Sequence, residues 1–291
     1  MAKLLSGKEV SEALNAKLIE RTAALREKGI NPTLAIVRVG ENPSDLSYEK
    51  GATKRAEVVG VDVKNFVLPE TCTKEELLAV IDQVNADDSI HGCLMFRPLP
   101  KHLRADQDEI CNRLDARKDV DSMTTLSNAG IYENRKDLGF PPCTAQACME
   151  ILDYYNYDCT GKKAVVMGRS LVIGRPAALM LMHRNATVTI VHTRTKNPLD
   201  YMPYADLIIC AAGQLNSIRA EHVRPGQTII DVSMNWNPEK VTAKGKGGMQ
   251  GDCDFAAVAP IVEAITPVPG GVGAVTTSVL MKHVVDAAER A

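Results

Sequence analysis

The chain has 291 residues, of which 45% are hydrophobic and 24% charged, with a formal net charge of -2. That length supports two modest α/β domains or one large one, and the composition is that of a globular enzyme and not of a disordered chain. The near-neutral charge gives no general attraction to nucleic acid or to an anionic membrane, so an anionic ligand has to be held by a local pocket.

The opening stretch, MAKLLSGKEVSEALNAKL, carries charges throughout and lacks the apolar run and cleavage site of a signal peptide. No segment approaches the roughly 20 apolar residues of a membrane span, so the cytoplasm is the expected location. Eight cysteines (Cys72, Cys93, Cys111, Cys143, Cys148, Cys159, Cys210, Cys253) show no C-x-x-C pair and no zinc spacing. They read as reduced thiols in or near the core, and no metal is expected.

Residues 8 to 28 have apolar positions at helical spacing and predict an amphipathic helix, ended by Gly-Ile-Asn-Pro. TLAIVRVG follows as a buried strand, then a helix from about Pro43–Ser47 to Gly60, and VDVKNFVL as a strand. TKEELLAVIDQVNAD predicts another helix and IHGCLMFRPLP a strand running into a proline-rich loop. Between Arg104 and Pro142 the pattern loosens into loop with short helical pieces. A helix in AQACMEILDYYN then leads through Gly161 to a second α/β unit: strand KKAVVMG, helix GRPAALMLMHRN, and strands ATVTIVH, ADLIICAAG and QTIIDVSMN. A last helix runs from about Thr276 to Arg290. Strand alternating with helix predicts parallel sheets covered on both faces.

The strongest local signal is AVVMGRSLVIGRPAALML. A strand runs into Gly168, and Gly174 opens a helix with Pro176 in its first turn, offering backbone N–H groups and a helix N-terminus to a pyrophosphate. The spacing G-x-x-x-x-x-G is not the usual Rossmann fingerprint, so by itself it is equally an ordinary strand-to-helix turn. The next strand ends at His192-Thr193-Arg194, where an NAD enzyme usually has an acidic residue for the ribose. With Arg169 in the loop, Thr193 and Arg194 favour a 2'-phosphate, hence NADP over NAD. Two further strand ends, at Ala211-Ala212-Gly213-Gln214 and Asp231-Val232-Ser233-Met234-Asn235, belong to the carboxyl edge where cofactors bind, with Asp231 equally readable as a structural turn carboxylate.

Eight stretches in this order resemble the methylenetetrahydrofolate dehydrogenase/methenyltetrahydrofolate cyclohydrolase family: NPSDLSYEKGATKRAEVVGV, RPLPKHL, KDVDSM, PPCTA, VVMGRSLVIGRP, NATVTIVHTRT, GDCDF and TPVPGGVGAVTT. The resemblance implies two α/β domains flanking a cleft, the second a Rossmann-type parallel sheet. The expected bounds are 1–144 for a folate-binding catalytic domain, completed by a C-terminal helix in 272–291, and 145–271 for the NADP-binding domain. It implies a homodimer built through the cofactor domains. It also implies hydride transfer from 5,10-methylenetetrahydrofolate to the nicotinamide, in one-carbon metabolism that supplies purine biosynthesis. In most members the methenyl product is then hydrolysed to 10-formyltetrahydrofolate. By position, Tyr48 matches the family's active-site tyrosine and Asp121 the carboxylate that holds the pterin. Cofactor contacts fall on Gly168, Arg169, Ser170, Ile173, Gly174, His192, Thr193, Arg194, Ala212, Gly213 and Met234. Pro269, Gly270, Gly271 and Val272 match a loop that closes on folate and nicotinamide.

The chain departs from the family at two positions. The family's helix reads Y-x-x-x-K, which puts the two side chains on one face, and the lysine position is Ala52. Lys50 and Lys54 are rotated from Tyr48 by about 200° and 240°, at 100° per residue. The family's glutamine two residues before P-L-P is Phe96. Hydride transfer needs positioning more than proton transfer, whereas hydrolysis of the methenyl cation needs an activated water and shuttled protons, help worth about 100-fold to 10,000-fold. The expected activity is therefore an NADP-dependent dehydrogenase with cyclohydrolase absent or weak, leaving that step to a separate cyclohydrolase. Phe96 is expected to make the pocket drier. The alternatives are a bifunctional enzyme in which Arg97 or Lys50 replaces the lysine, a non-catalytic NADP-binding sensor, and a dehydrogenase for an amino acid or a shikimate-like substrate.

Overall fold

The computed structural model describes residues 1–242 and 245–291. The chain divides into two compact units, residues 1–11 with 144–276, and residues 12–143 with 277–291. The first elements are β1 (Lys3–Leu4) and α1 (Gly7–Glu27).

The unit built on residues 12–143 contains β2 (Thr33–Val39), α2 (Pro43–Val59), β3 (Asp62–Leu68), α3 (Lys74–Ala86), β4 (Gly92–Met95), α4 (Gln107–Asn112) and α5 (Thr125–Glu133). Its strands form a parallel sheet in the order β3-β2-β4. β2 is central and buried almost throughout, which is why TLAIVRV is an unbroken apolar run with one arginine. That arginine, Arg38, is held by Glu49 at 2.6 Å and by the carbonyl of Gly40. Local chemistry sets the helix ends. Asn42 accepts from the Ser44 N–H ahead of Pro43, and Gly60 ends α2 in the left-handed region at φ 77°. α3 opens with a reciprocal capping box between Thr73 and Glu76. The core here joins Val37, Leu77, Ile81, Met95, Leu99 and Ile110.

The other unit contains α6 (Cys143–Tyr154), β5 (Lys163–Met167), α7 (Gly174–Met182), β6 (Thr187–Val191), β7 (Leu207–Cys210), β8 (Thr228–Asp231), β9 (Asn235–Thr242), β10 (Gly245–Gln250), α8 (Phe255–Val258) and β11 (Ala264–Ile265). Its six-stranded sheet is parallel throughout in the order β1-β11-β8-β7-β5-β6, as expected of a Rossmann-type domain. Val165, Met167, Ile208, Ile229 and Ile265 are buried together on it. The chain ends in α9 (Thr276–Ala288). All eight cysteines are free thiols and buried. Among the described residues no helix is long and apolar enough to cross a membrane.

Three features differ from the sequence reading. Residues 1–11, expected in the first domain, group with the six-stranded sheet because β1 pairs with β11, Lys3 opposite Ala264 and Leu4 opposite Ile265. Two residues carry no periodicity, so a strand this short leaves no signal. Residues 272–276, expected with the C-terminal helix, also group with that sheet's unit. The β9–β10 hairpin had no counterpart in the expected elements.

Candidate active site

In the unit of residues 12–143, the carboxyl ends of β2 and β4 deliver the residues singled out around Tyr48. Tyr48 and Ala52 lie one turn apart on α2, and Ala52 is completely buried. Phe96 follows β4 and meets Tyr48 edge-on, with ring centroids 6.1 Å apart and planes at 83°. Lys50 and Lys54 are exposed. Tyr48 therefore has Phe96 beside it, and the position one turn on is a methyl group.

Arg97, next in the chain, places Nη2 3.8 Å from Oδ2 of Asp121, and the two side chains are 23% and 22% exposed. The other oxygen of Asp121 accepts from the Cys143 N–H at 2.9 Å. Burial pushes the Asp121 carboxyl above its ordinary value, and the Cys143 N–H and Arg97 oppose that rise. The loop that carries Asp121 is fixed by Asp119, which the sequence singles out only as part of KDVDSM. Asp119 is fully buried and accepts from the N–H groups of Met123 at 2.9 Å and Thr124 at 2.8 Å. From α9, His283 bonds the carbonyl of Val120 at 2.9 Å and stacks on Phe140. Burial lowers its pKa to about 4, so it is neutral near pH 7.

In the other unit, the strand-to-helix turn after β5 requires its glycines. Gly168 has φ 121°, and a Cβ there would lie 2.3 Å from the carbonyl oxygen of Ala211. A Cβ on Gly174 would lie 2.2 Å from the carbonyl oxygen of Gly168. Ser170 closes the turn, its hydroxyl accepting from the Ile173 N–H at 3.1 Å and the Gly174 N–H at 3.5 Å. Arg169 stays exposed. Past β6, His192 accepts through Nδ1 from the Arg194 N–H at 3.1 Å, while Thr193 and Arg194 are exposed. The turn thus combines close backbone packing with exposed cationic side chains and has no acidic residue from His192 to Thr195, which fits a phosphorylated ribose.

Ala212 and Gly213, after β7, are held by Asp252, which the sequence singled out only as part of GDCDF. Its carboxylate is fully buried and accepts from the N–H groups of Ala212 (2.7 Å), Gly213 (3.2 Å) and Gln214 (2.9 Å) and from Nδ2 of Asn235 (3.0 Å). Asp231 takes the structural role. It accepts from the N–H groups of Asp252 at 2.9 Å and Cys253 at 3.0 Å. Met234 shares a cavity of about 260 Å³ with residues 267–274, including Pro269, Gly270, Gly271 and Val272. Gly271 has no room for a side chain, since its Cβ would meet the Pro267 carbonyl oxygen at 2.5 Å.

A larger cavity, about 1010 Å³, lies in the first-described unit among Thr33, Asp62, His91, Lys118 and Arg290. It sits at the amino ends of β2, β3 and β4, the opposite edge from Phe96 and Arg97. In parallel α/β sheets ligands gather at the carboxyl ends, so size alone does not identify this cavity as the active site.

Residues 5–121 match the family profile described as tetrahydrofolate dehydrogenase/cyclohydrolase, catalytic domain, and residues 142–291 match that of its NAD(P)-binding domain. The bifunctional protein FolD of Carboxydothermus hydrogenoformans is 48% identical over 289 residues, covering 99% of this chain and 98% of its own. Among solved structures, the bifunctional methylenetetrahydrofolate dehydrogenase/cyclohydrolase FolD of Campylobacter jejuni matches with a TM-score of 0.92 at 38% identity, over 100% of this chain and 99% of that one. The FolD of Trypanosoma brucei, solved with NADP and an inhibitor, matches at 0.91 and 30% identity, over 99% and 98% of the two chains. With both halves matched in order and relatives aligned from end to end, the chain belongs to the tetrahydrofolate dehydrogenase/cyclohydrolase family of oxidoreductases, its second part being that family's NAD(P)-binding domain.

Proposed function

We propose that this protein oxidises 5,10-methylenetetrahydrofolate to the methenyl form with NADP and has lost the cyclohydrolase step, or most of it. The observation that carries the proposal is the pairing of a buried Ala52 with Phe96 packed edge-on against Tyr48. The named relatives are bifunctional, and at these two positions this chain offers a methyl group and a phenyl ring, neither of which takes up or releases a proton.

Asp121, as a carboxylate, accepts from the pterin's N–H groups and fixes the ring, while Tyr48 and Phe96 line the one-carbon unit. NADP, when bound, supplies the hydride acceptor. Gly168, Ser170 and Gly174 would admit its pyrophosphate, Arg169, Thr193 and Arg194 its 2'-phosphate, and Ala212, Gly213 and Met234 the remainder. Residues 269–272, which share their cavity with Met234, would meet the nicotinamide. Positioning of this kind accounts for hydride transfer without an enzyme base. Phe96 excludes water from the methenyl product.

A second copy would cover the apolar surface at β6, the edge strand of the six-stranded sheet, where Ile190 is 40% exposed, together with Met182 on α7. This supports a homodimer through the cofactor units, to be checked by analytical ultracentrifugation, where a monomer at micromolar concentration would contradict it. A cytoplasmic site of action fits the reaction, which draws on cellular NADP.

The deciding experiment has two arms. NADP reduction with methylenetetrahydrofolate should be robust and should exceed NAD reduction. With methenyltetrahydrofolate as substrate, the purified protein should not accelerate loss of the methenyl chromophore above the buffer rate. Clear acceleration in the second arm would overturn the monofunctional reading and favour a bifunctional enzyme.

A further inference from the structure

We propose that Arg97 is a positioning residue for the folate, holding the Asp121 carboxylate ionised and oriented as an acceptor for the pterin's N–H donors. The inference rests on the dehydrogenase reading above, and it assigns Arg97 a task other than replacing the family's lysine.

The geometry separates the two oxygens of Asp121. Oδ1 is committed to the Cys143 N–H at 2.9 Å. Oδ2 faces the Arg97 guanidinium at 3.8 Å, beyond the range of a direct hydrogen bond. At that separation the cation stabilises the charge without occupying a lone pair, so Oδ2 remains an acceptor for a ligand. The backbone beneath is immobilised, because Asp119 ties down the N–H groups of Met123 and Thr124.

The pterin's 2-amino group and N3–H are both donors, so the recognising group has to be an acceptor. A protonated carboxylic acid would present an O–H to them and lose affinity. The surroundings of Asp121 push toward protonation. Burial raises its pKa, and Asp119 adds a like charge. Cys143 works against that rise through its N–H and its thiol, and His283, across from Cys143 and Val120, is neutral near pH 7 and adds no charge. Lys118, three residues before Asp121, has its ammonium bonded to the carbonyls of Val84, Asn85 and Asp87. Beside the Cys143 hydrogen bonds, the charge that counters burial and Asp119 at Asp121 is that of Arg97.

The test compares the parent protein with Arg97→Met, which keeps the stem and removes the charge, and Arg97→Lys, which restores it. KM for methylenetetrahydrofolate, kept in excess formaldehyde, is measured with NADP from pH 6 to 8.5, and binding of 5-formyltetrahydrofolate is measured by calorimetry over the same range. Removing an opposite charge at this distance shifts a carboxyl by about one to three pH units. The acid limb of folate affinity in Arg97→Met should therefore move up by that amount, with KM rising about tenfold per unit below the new pKa. kcat should fall far less than KM rises, and Arg97→Lys should recover most of the affinity. Superimposable pH profiles for parent and Arg97→Met, in variants with matching melting temperatures, would overturn the proposal. So would a fall in kcat with KM unchanged. A parent that neither oxidises methylenetetrahydrofolate nor binds 5-formyltetrahydrofolate would instead overturn the dehydrogenase reading.

Discussion

On the proposed reading, Ala52 and Phe96 restrict the chemistry because neither side chain can move a proton. Ala52 is fully buried, and the phenyl ring of Phe96 presents carbon to Tyr48. Restoring the pair tests this directly. In Ala52→Lys/Phe96→Gln, decay of methenyltetrahydrofolate should rise about tenfold or more above the buffer rate, a fraction of the 100-fold to 10,000-fold available to general acid–base catalysis. Ala52→Lys alone should lower the melting temperature by several degrees, since it forces an ammonium into a buried position without a partner. Thermal unfolding of both variants separates that cost from the gain in chemistry.

Two elements are held by buried groups whose removal has a calculable direction. Asp252 gathers four N–H donors at the end of β7. In Asp252→Asn one acceptor becomes an NH2 facing donors, a loss of about 1–3 kcal/mol. The loop carrying Ala212 and Gly213 should loosen, and KM for NADP should rise several-fold while KM for the folate changes less, as steady-state kinetics would read. His283 links α9 to the loop of Asp121 through the carbonyl of Val120. Its pKa falls from 6.5 to about 4 on burial, so below pH 6.5 the unfolded chain binds a proton that the folded chain refuses. The stability it contributes is complete above pH 6.5 and is lost as pH falls toward 4. At 1.36 kcal/mol per unit this amounts to about 3 kcal/mol at most. His283→Gln should flatten the fall in stability between pH 6.5 and 4, as chemical denaturation across that window would register.

For the whole molecule, the chain passes between its two units three times, near residues 11, 143 and 276. A ligand that binds only the folded chain stabilises it by about 2.7 kcal/mol at a hundred times its Kd. NADP at millimolar concentration should therefore raise the melting temperature by several degrees, and NAD at the same concentration by less. Equal shifts would remove the argument that Arg169, Thr193 and Arg194 select the 2'-phosphate.

Short-range pattern encodes the elements that can be read along the chain. β2, α2, α3, β5 and α7 are legible because apolar periodicity, the proline at the start of α2 and the glycines at 168 and 174 act within a few residues of one another. Resemblance to the family points to Tyr48 and Asp121, and Ala52 stands one helical turn after Tyr48. Tertiary structure decided what depends on pairing across the chain. β1 is a strand only because β11, about 260 residues later, offers a parallel edge. Asp252 is a buried acceptor only because the loop at 212–214, some 40 residues earlier in the chain, folds against it. The same holds for Arg97. In sequence it stands only as an alternative to the family's lysine, and the approach of its guanidinium to Asp121 gives it a different task, since an ion pair is a property of distance and burial that spacing along the chain does not carry.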